Sequence, residues 1–233
     1  INKGDEVNRE YRSRLVAMEI KRDKRDDLFA ATPPLEAKKF LMSMAVTEKI
    51  GYLAGKRKQG MCLDFIDVSR AFFHADAIRR VYVQLPEEDA QEGMCGLLGK
   101  SMYGTRDAAQ NWGQCYMTFM VNTGFTKGLA SHCCFYHKER NIRCVVHGDD
   151  FTVLGARKDL DWFRERIQEK FPVKFRGRLG PTDQDDKEIR ILNRIITWTE
   201  EGILYEADQR HAEIIIREMN LKADSKTAVT PFE

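Results

Sequence analysis

Two adjacent carboxylates, Asp149 and Asp150, sit in the short run His147-Gly148-Asp149-Asp150 between the apolar stretches Cys144-Val145-Val146 and Phe151-Thr152-Val153-Leu154. The pattern predicts a hairpin with buried arms and both acids in its turn. A solvated hairpin tip also tolerates two acids. Arms made of core residues instead deliver the turn to a defined place, where carboxylate oxygens can bind a hard divalent cation. A third acid, Asp67, ends the apolar run Met61 to Val68, 82 residues before Asp149. If the two strands are neighbours in one sheet, the acids meet. Two cations roughly 3.5–4 Å apart, bridged by such carboxylates, support in-line phosphoryl transfer. Asp64 is the rival on the same strand, but an offset of three places it on the opposite face, and Asp67 is preferred.

The elements that would position these acids follow from periodicity. Leu35, Phe40, Leu41, Met44, Ala45 and Val46 recur at helical spacing after Pro33-Pro34, predicting a helix from Leu35 to Ile50. Met61 to Val68 reads as a buried strand, followed by a turn into a short helix at Ser69 to Ala75. Val81 to Leu85 reads as a second strand, closed by Pro86. Helices are expected over Ala108–Val121, Leu160–Phe171 and His211–Leu221. The hairpin bearing the two acids spans Ile142–Val146 and Phe151–Leu154, and another spans Ile189–Trp198 and Gly202–Tyr205. Gly177 to Asp186 reads as loop. Helices and strands alternate irregularly, which predicts an α+β fold rather than a regular βαβ winding.

Composition narrows the function classes. The chain has 233 residues, 42% hydrophobic and 32% charged, and its mean hydropathy of −0.50 is that of a soluble, folding chain. No apolar stretch approaches the roughly 18–20 residues of a membrane span. The start, Ile1-Asn2-Lys3-Gly4-Asp5, lacks the apolar core of a signal peptide, and the chain reads as a piece of something longer. With 38 basic and 36 acidic residues, the net charge of +2 is not that of a simple nucleic-acid-coating protein. Residues 1–60 are more basic, with 14 Lys and Arg against 9 Asp and Glu, which permits contact with phosphates. The six cysteines contain no C-x-x-C pair, so free thiols in a reducing compartment are expected. His132-Cys133-Cys134-Phe135-Tyr136-His137 holds metal-binding residue types, but four ligands from one short strand cannot close a tetrahedron around zinc.

In order along the chain come Arg12-Ser13-Arg14-Leu15-Val16-Ala17, Ile66-Asp67-Val68-Ser69-Arg70-Ala71-Phe72-Phe73-His74-Ala75, Val81-Tyr82-Val83-Gln84-Leu85-Pro86, Lys100-Ser101-Met102-Tyr103-Gly104, Trp112 and His147-Gly148-Asp149-Asp150. Near the end come Gln209, Asp224-Ser225-Lys226 and Thr230-Pro231. This succession resembles the reverse transcriptase domain of copia-type (Pseudoviridae) LTR retrotransposon Pol polyproteins, from about residue 10 to the C-terminus.

The resemblance implies a right-hand polymerase fold: a palm with an antiparallel sheet backed by helices, plus fingers and a partial thumb. Residues 1–60 would be part of the fingers, 61–175 the palm with the catalytic core and an interleaved fingers segment, and 176–233 the end of the palm and the start of the thumb. The implied metal ligands are Asp67, Asp149 and Asp150 with the carbonyl of Val68, holding two Mg²⁺ ions for which Mn²⁺ could substitute. The implied nucleotide-binding residues are Arg12 and Arg14 on a fingers strand, Ser69, Arg70 and Ala71 below the triphosphate, Phe72 as the steric gate against a ribose 2′-hydroxyl, and Arg106 and Gln110. One of Phe72 and Phe73 is expected in the core. Gly104, His147 and Gly148 fall where the family contacts template and primer, and Trp112 is expected to be a packing anchor.

The implied activity is RNA-directed DNA polymerisation: nucleotidyl transfer from a dNTP to a primer 3′-hydroxyl on an RNA or DNA template. The implied partners are RNA template, DNA primer, dNTP and, outside this chain, integrase and ribonuclease H segments, with no membrane. The implied setting is intracellular and reducing, in a cytoplasmic virus-like particle or the nucleus. Three segments depart from the family pattern: His147-Gly148 replaces Tyr-x before the acids, Asp107-Ala108-Ala109-Gln110 replaces Gln-Ala-Pro-Arg, and Ile191-Leu192-Asn193 replaces Phe-Leu-Gly. The alternative reading is a catalytically silent reverse-transcriptase-like domain from a decayed element that only binds nucleic acid. A metal-dependent nuclease would leave Phe72 without a task.

Overall fold

The computed structural model describes residues 11, 13, 15–20, 23, 28–207, 209–222 and 224–226. Four helices and eleven strands follow one another as α1 (Leu35–Ala45), β1 (Cys62–Val68), β2 (Tyr82–Val83), β3 (Gly96–Leu97), α2 (Ala108–Asn122), β4 (Thr126–Lys127), β5 (Cys134–His137), β6 (Ile142–His147), β7 (Asp150–Gly155), α3 (Arg157–Lys170), β8 (Val173–Leu179), β9 (Glu188–Ile191), β10 (Arg194–Trp198), β11 (Ile203–Ala207) and α4 (Arg210–Glu218). The named strands pair antiparallel. The mixed, irregular order agrees with the α+β expectation.

The principal sheet has six strands in the order β4-β5-β6-β7-β1-β8. β1 lies between β7 and β8, and its apolar residues feed two cores because the sheet is covered on both faces. Cys62, Ile66 and Val68 meet Trp112, Tyr116 and Met120 of α2 and Leu160, Phe163 and Ile167 of α3. Leu63 and Phe65 meet Leu41, Met42 and Met44 of α1 together with Ile189, Ile196 and Trp198 of the three-stranded sheet β11-β10-β9. A fully buried side chain of this size contributes about 1.5–3 kcal/mol, so the strand carrying Asp67 is fixed from both sides.

Most predicted elements are present, with shifted ends. α1 stops at Ala45 rather than Ile50: the Thr47 hydroxyl donates to the Ser43 carbonyl at 2.6 Å, and Lys49 adopts a left-handed φ of 67°. The expected strand Ile189–Trp198 is broken at Leu192-Asn193, both left-handed with φ 48° and 58°. That two-residue turn makes β9 and β10 a hairpin.

β8 departs further from expectation, since its last residues, Gly177 to Leu179, are strand where loop is expected. Its residues pair with β1 from Leu63↔Leu179 to Val68↔Val173, and the register shifts between Phe65↔Gly177 and Ile66↔Phe175. Arg176 is therefore the extra residue of a β-bulge, a device that re-aims a side chain out of the regular pleat.

Candidate active site

The turn between β6 and β7 contains only Gly148 and Asp149. Gly148 has φ 63° while Asp149 is not left-handed, the φ pattern of a type II′ turn, where glycine avoids the clash that a Cβ would create. Both carbonyls of the turn are held. The indole N–H of Trp112 donates to Gly148 O at 2.8 Å, and the amide of Val68 donates to Asp149 O at 2.9 Å. Trp112, expected only as a packing anchor, thus also fixes the hairpin. Across the ladders, Asp150 stands opposite His147 on one side and Asp67 on the other. The backbone therefore brings Asp67, Val68, Asp149 and Asp150 together at one end of the neighbouring strands β7 and β1.

The carboxylates differ in environment. Burial, then the charges of Asp149 and Asp67, push the Asp150 carboxyl up to about 6, with Lys38 and Arg176 opposing. Asp67 is ion-paired with the Arg176 guanidinium that the bulge presents. Among the described residues, no three Asp, Glu, His or Cys side chains converge closely enough to hold an ion together. The donor types fit a hard divalent cation, all being carboxylate or carbonyl oxygens, and a cation would relieve the burial and the neighbouring carboxylate charge that raise Asp150. Holding one in common requires Asp67 to exchange Arg176 for the ion.

Asp64, the rival acid, has a different partner set. It is 1% exposed, and Arg178 clamps it with two hydrogen bonds of 2.6 and 2.7 Å. The expected opposition of Asp64 and Asp67 on β1 matches this division of partners.

A cleft of about 590 Å³ collects Phe72, Gln110, Trp112, His147 and Gly148. Phe72 rests against the core from this cleft, and its ring stacks at 4.6 Å on Tyr103. Phe73 is 37% exposed and meets Tyr103 edge-on. Phe72, half-buried and packed against the core, is thus the one of the pair expected there, while the short helical turn Ala71–His74 sends only Ala71 wholly inward. Burial and the nearby Lys38 lower the His147 pKa, with Asp149 opposing, which favours the neutral imidazole.

The remaining expected residues are spread around this cleft. The Ser69 amide is already bonded to the Pro172 carbonyl at 2.9 Å. Arg70 is left-handed at φ 55° and opens the turn that carries Ala71 and Phe72. Arg106 is held elsewhere: its guanidinium pairs with Asp23 at 2.7 Å and its amide donates to Glu19 at 2.8 Å. Gly104 has φ 92°, and a Cβ there would stand 1.7 Å from the Ala17 carbonyl, so glycine is required where residues 15–20 cross. Asp107, one of the departures, is buried and pairs with Arg79 at 2.9 Å. Arg12 and Arg14 lie outside the described residues.

Two basic residues near the acids were not singled out from sequence. Arg176 lies in Val173-Lys174-Phe175-Arg176-Gly177-Arg178-Leu179, whose alternation of apolar and basic residues is a strand signal. Lys38 shares a helical stripe with Leu41, Met42 and Ala45, and all four are buried. A lysine at an apolar position of such a stripe was the available sign. The six cysteines are free, and the His132–His137 segment forms no metal cluster among the described residues.

Residues 1–182 match the reverse transcriptase (RNA-dependent DNA polymerase) family, and the chain belongs to it. Within that family it is similar to the Pol polyproteins of copia-type retrotransposons. The retrovirus-related Pol polyprotein from transposon TNT 1-94 of Nicotiana tabacum is 24% identical over 233 positions, taking in 95% of this chain and 16% of that polyprotein. The transposon Ty1-DR4 Gag-Pol polyprotein of Saccharomyces cerevisiae is 20% identical over 125 residues, 54% of this chain and 8% of the relative. The chain thus spans less than a fifth of these relatives. No helix among the described residues is long and apolar enough to cross a membrane.

Proposed function

We propose that this chain is the core of an RNA-directed DNA polymerase. The six-stranded sheet up to the start of β8, with α2 and α3, forms the palm over 61–175, the residues before 61 form part of the fingers, and those from 176, beginning with the rest of β8, finish the palm and begin the thumb. The observation that carries the reading is the placement of Asp67 opposite Asp150 across adjacent strands, with Asp149 tied by its carbonyl to Val68. Phe72 and His147 line the cleft alongside.

In this reading Asp67, Asp149, Asp150 and the Val68 carbonyl would hold two Mg²⁺ ions once Asp67 exchanges Arg176 for them. Bound Mg²⁺ supplies activation of the primer 3′-hydroxyl and charge neutralisation at the triphosphate. The protein's own part is placement. The left-handed Arg70 begins a tight turn of the kind whose amides cradle phosphate oxygens. Phe72, braced by Tyr103, sets a flat wall under the sugar that leaves no space for a 2′-hydroxyl. His147 offers its ring face to the primer terminus, and Gln110 a neutral amide to the paired bases.

One observation favours the second reading, a silent domain that binds nucleic acid: Arg176 occupies the Asp67 carboxylate. Primer extension on an RNA template with dNTPs and Mg²⁺ separates the two. The polymerase reading expects extension by the parent, its loss in Asp149→Asn, and ribonucleotide incorporation gained in Phe72→Ala. A folded parent that binds the hybrid and extends nothing supports the silent domain.

A further inference from the structure

α1 packs chiefly on β7, β1 and β6, and beside it a groove of about 680 Å³ opens over β4, β5 and β6. The groove lies toward the end of β6 remote from Gly148 and Asp149, and no residue given a task above lines it. Its floor is apolar, from Phe40 and Leu41 of α1 to Cys134 of β5 and Val145 of β6. Leu129 stands at the lip, 99% exposed, and Phe40 is exposed as well. Apolar side chains gathered in one open groove mark a contact surface. The rim is basic: Lys127, Lys138 and Arg143 line the groove, and no Asp or Glu does. None of the three is ion-paired among the described residues. Arg143 lies over the Tyr136 ring and donates to the Asn141 carbonyl at 3.3 Å. Such a groove fits an occupant that is apolar at its centre and acidic at its margins. Groove against groove is disfavoured, because a two-fold contact would set these cations against one another.

The chain itself carries a segment of that kind. The loop between β2 and β3 holds Glu87, Glu88, Asp89 and Glu92 and no Lys or Arg. All four acids are exposed, and none is ion-paired among the described residues. Met94 and Leu97, beside them, are exposed apolar side chains. The loop has a formed shape, since the Asp89 amide donates to the Pro86 carbonyl and the Met94 amide to the Gln91 carbonyl, both at 3.0 Å. It belongs to a separate two-stranded sheet, and none of its residues lines the groove of its own molecule.

We propose that the groove receives the β2–β3 loop of a second copy of this chain. Met94 and Leu97 meet the apolar floor, and the four acids meet the basic rim. Each copy offers one loop and one groove, so the contact is heterologous and joins copies head to tail. Its ion pairs form at a solvent-exposed rim, which makes the association weak and sensitive to salt. The contact is independent of the polymerase reading.

Sedimentation velocity of the full chain across a concentration series, at low and at high salt, tests it. The parent should associate as concentration rises, and less so at high salt. Lys127→Glu with Lys138→Glu reverses the rim, and Glu88→Lys with Asp89→Lys reverses the loop. All four positions are exposed, so both variants should keep the melting temperature of the parent. Each alone should associate more weakly than the parent by about 10-fold or more. Mixed, the two should form a one-to-one pair, because one keeps its loop and the other its groove. A chain carrying all four reversals should associate again. A parent that stays monomeric throughout overturns the proposal. So does association lost in the groove variant but kept in the loop variant, which gives the groove a different occupant. A mixture that forms no pair overturns it as well. A groove variant that associates like the parent but binds an RNA–DNA hybrid less tightly makes the groove a nucleic-acid surface and overturns the contact between copies.

Discussion

The indole N–H of Trp112 donates to the carbonyl of Gly148 at 2.8 Å, so a helix on one face of the sheet holds the turn that carries Asp149. The contact reaches the acids from the side opposite α1. Trp112 is itself fixed by edge contacts with Phe171 and by Tyr116.

Trp112→Phe keeps most of the ring and removes the donor. The Gly148 carbonyl is near solvent and can recruit water, so the expected loss in urea denaturation is about 1 kcal/mol. The loss of extension rate should be larger than that figure implies, about 10-fold, because a small displacement of Asp149 misaligns the reacting groups. Equal, small effects on both would assign Trp112 to packing alone.

The Asp150 carboxyl, raised to about 6 by burial and its acidic neighbours, makes stability depend on pH. Its unfolded value is near 3.9, so between about pH 4 and 6 the folded chain binds more protons than the unfolded one. This group therefore favours folding below pH 4, and that contribution is lost as pH rises through 6. Asp150→Asn should be more stable than the parent at pH 7.5 by about 1–3 kcal/mol, with little difference near pH 4. Urea denaturation in EDTA at the two pH values checks it, and a constant difference would place the titration elsewhere.

Much of this arrangement was legible in the residues. Asp149-Asp150 between apolar arms gave the hairpin, and the offset of three separated Asp64 from Asp67. What was not legible depends on contacts distant in sequence. Arg176 reaches Asp67 only because β8 bulges against β1, and the seven-residue alternation of β8 was hidden by Gly177 and the loop-like residues after it. Arg106 looked free for a nucleotide because nothing local shows that Asp23 and Glu19 fold back onto it. The break at Leu192-Asn193 was missed because leucine rarely takes a left-handed conformation.

Asp107, a departure from the family pattern, is an architectural residue in this chain. Arg79 joins it to Glu19, linking the segment before α1 to the start of α2, and Asn111 donates to it at 3.2 Å. Both acids are held below the usual carboxylate range despite their burial, chiefly by hydrogen bonds from Arg79. Their contribution is present above about pH 4 and lost as pH falls through the lowered values. Arg79→Met should destabilise by about 2 kcal/mol at pH 7, and by less near pH 3. Asp107→Asn should recover only part of that loss in the double variant.

On the proposed reading, in which the three acids hold a cation, Arg176 sets the terms on which they receive it. Its guanidinium already neutralises Asp67 and offsets part of the burden on Asp150, so an arriving ion must displace it and work against its charge. Arg176→Gln removes both obstacles while keeping a polar side chain in the bulge. The Mg²⁺ midpoint, read from the melting-temperature shift across a titration, should fall about 5- to 10-fold, equivalent to about 1–1.4 kcal/mol. Without divalent ions the same variant should melt lower than the parent, because Asp67 loses its only ion-pair partner among the described residues. The two readings then diverge in extension. A parent that is active and an Arg176→Gln that needs less Mg²⁺ make the arginine a counter-ion released on loading. An inactive parent and an active variant make it the lock that silences the site. An unchanged midpoint would show that Asp67 takes no part in holding the ion.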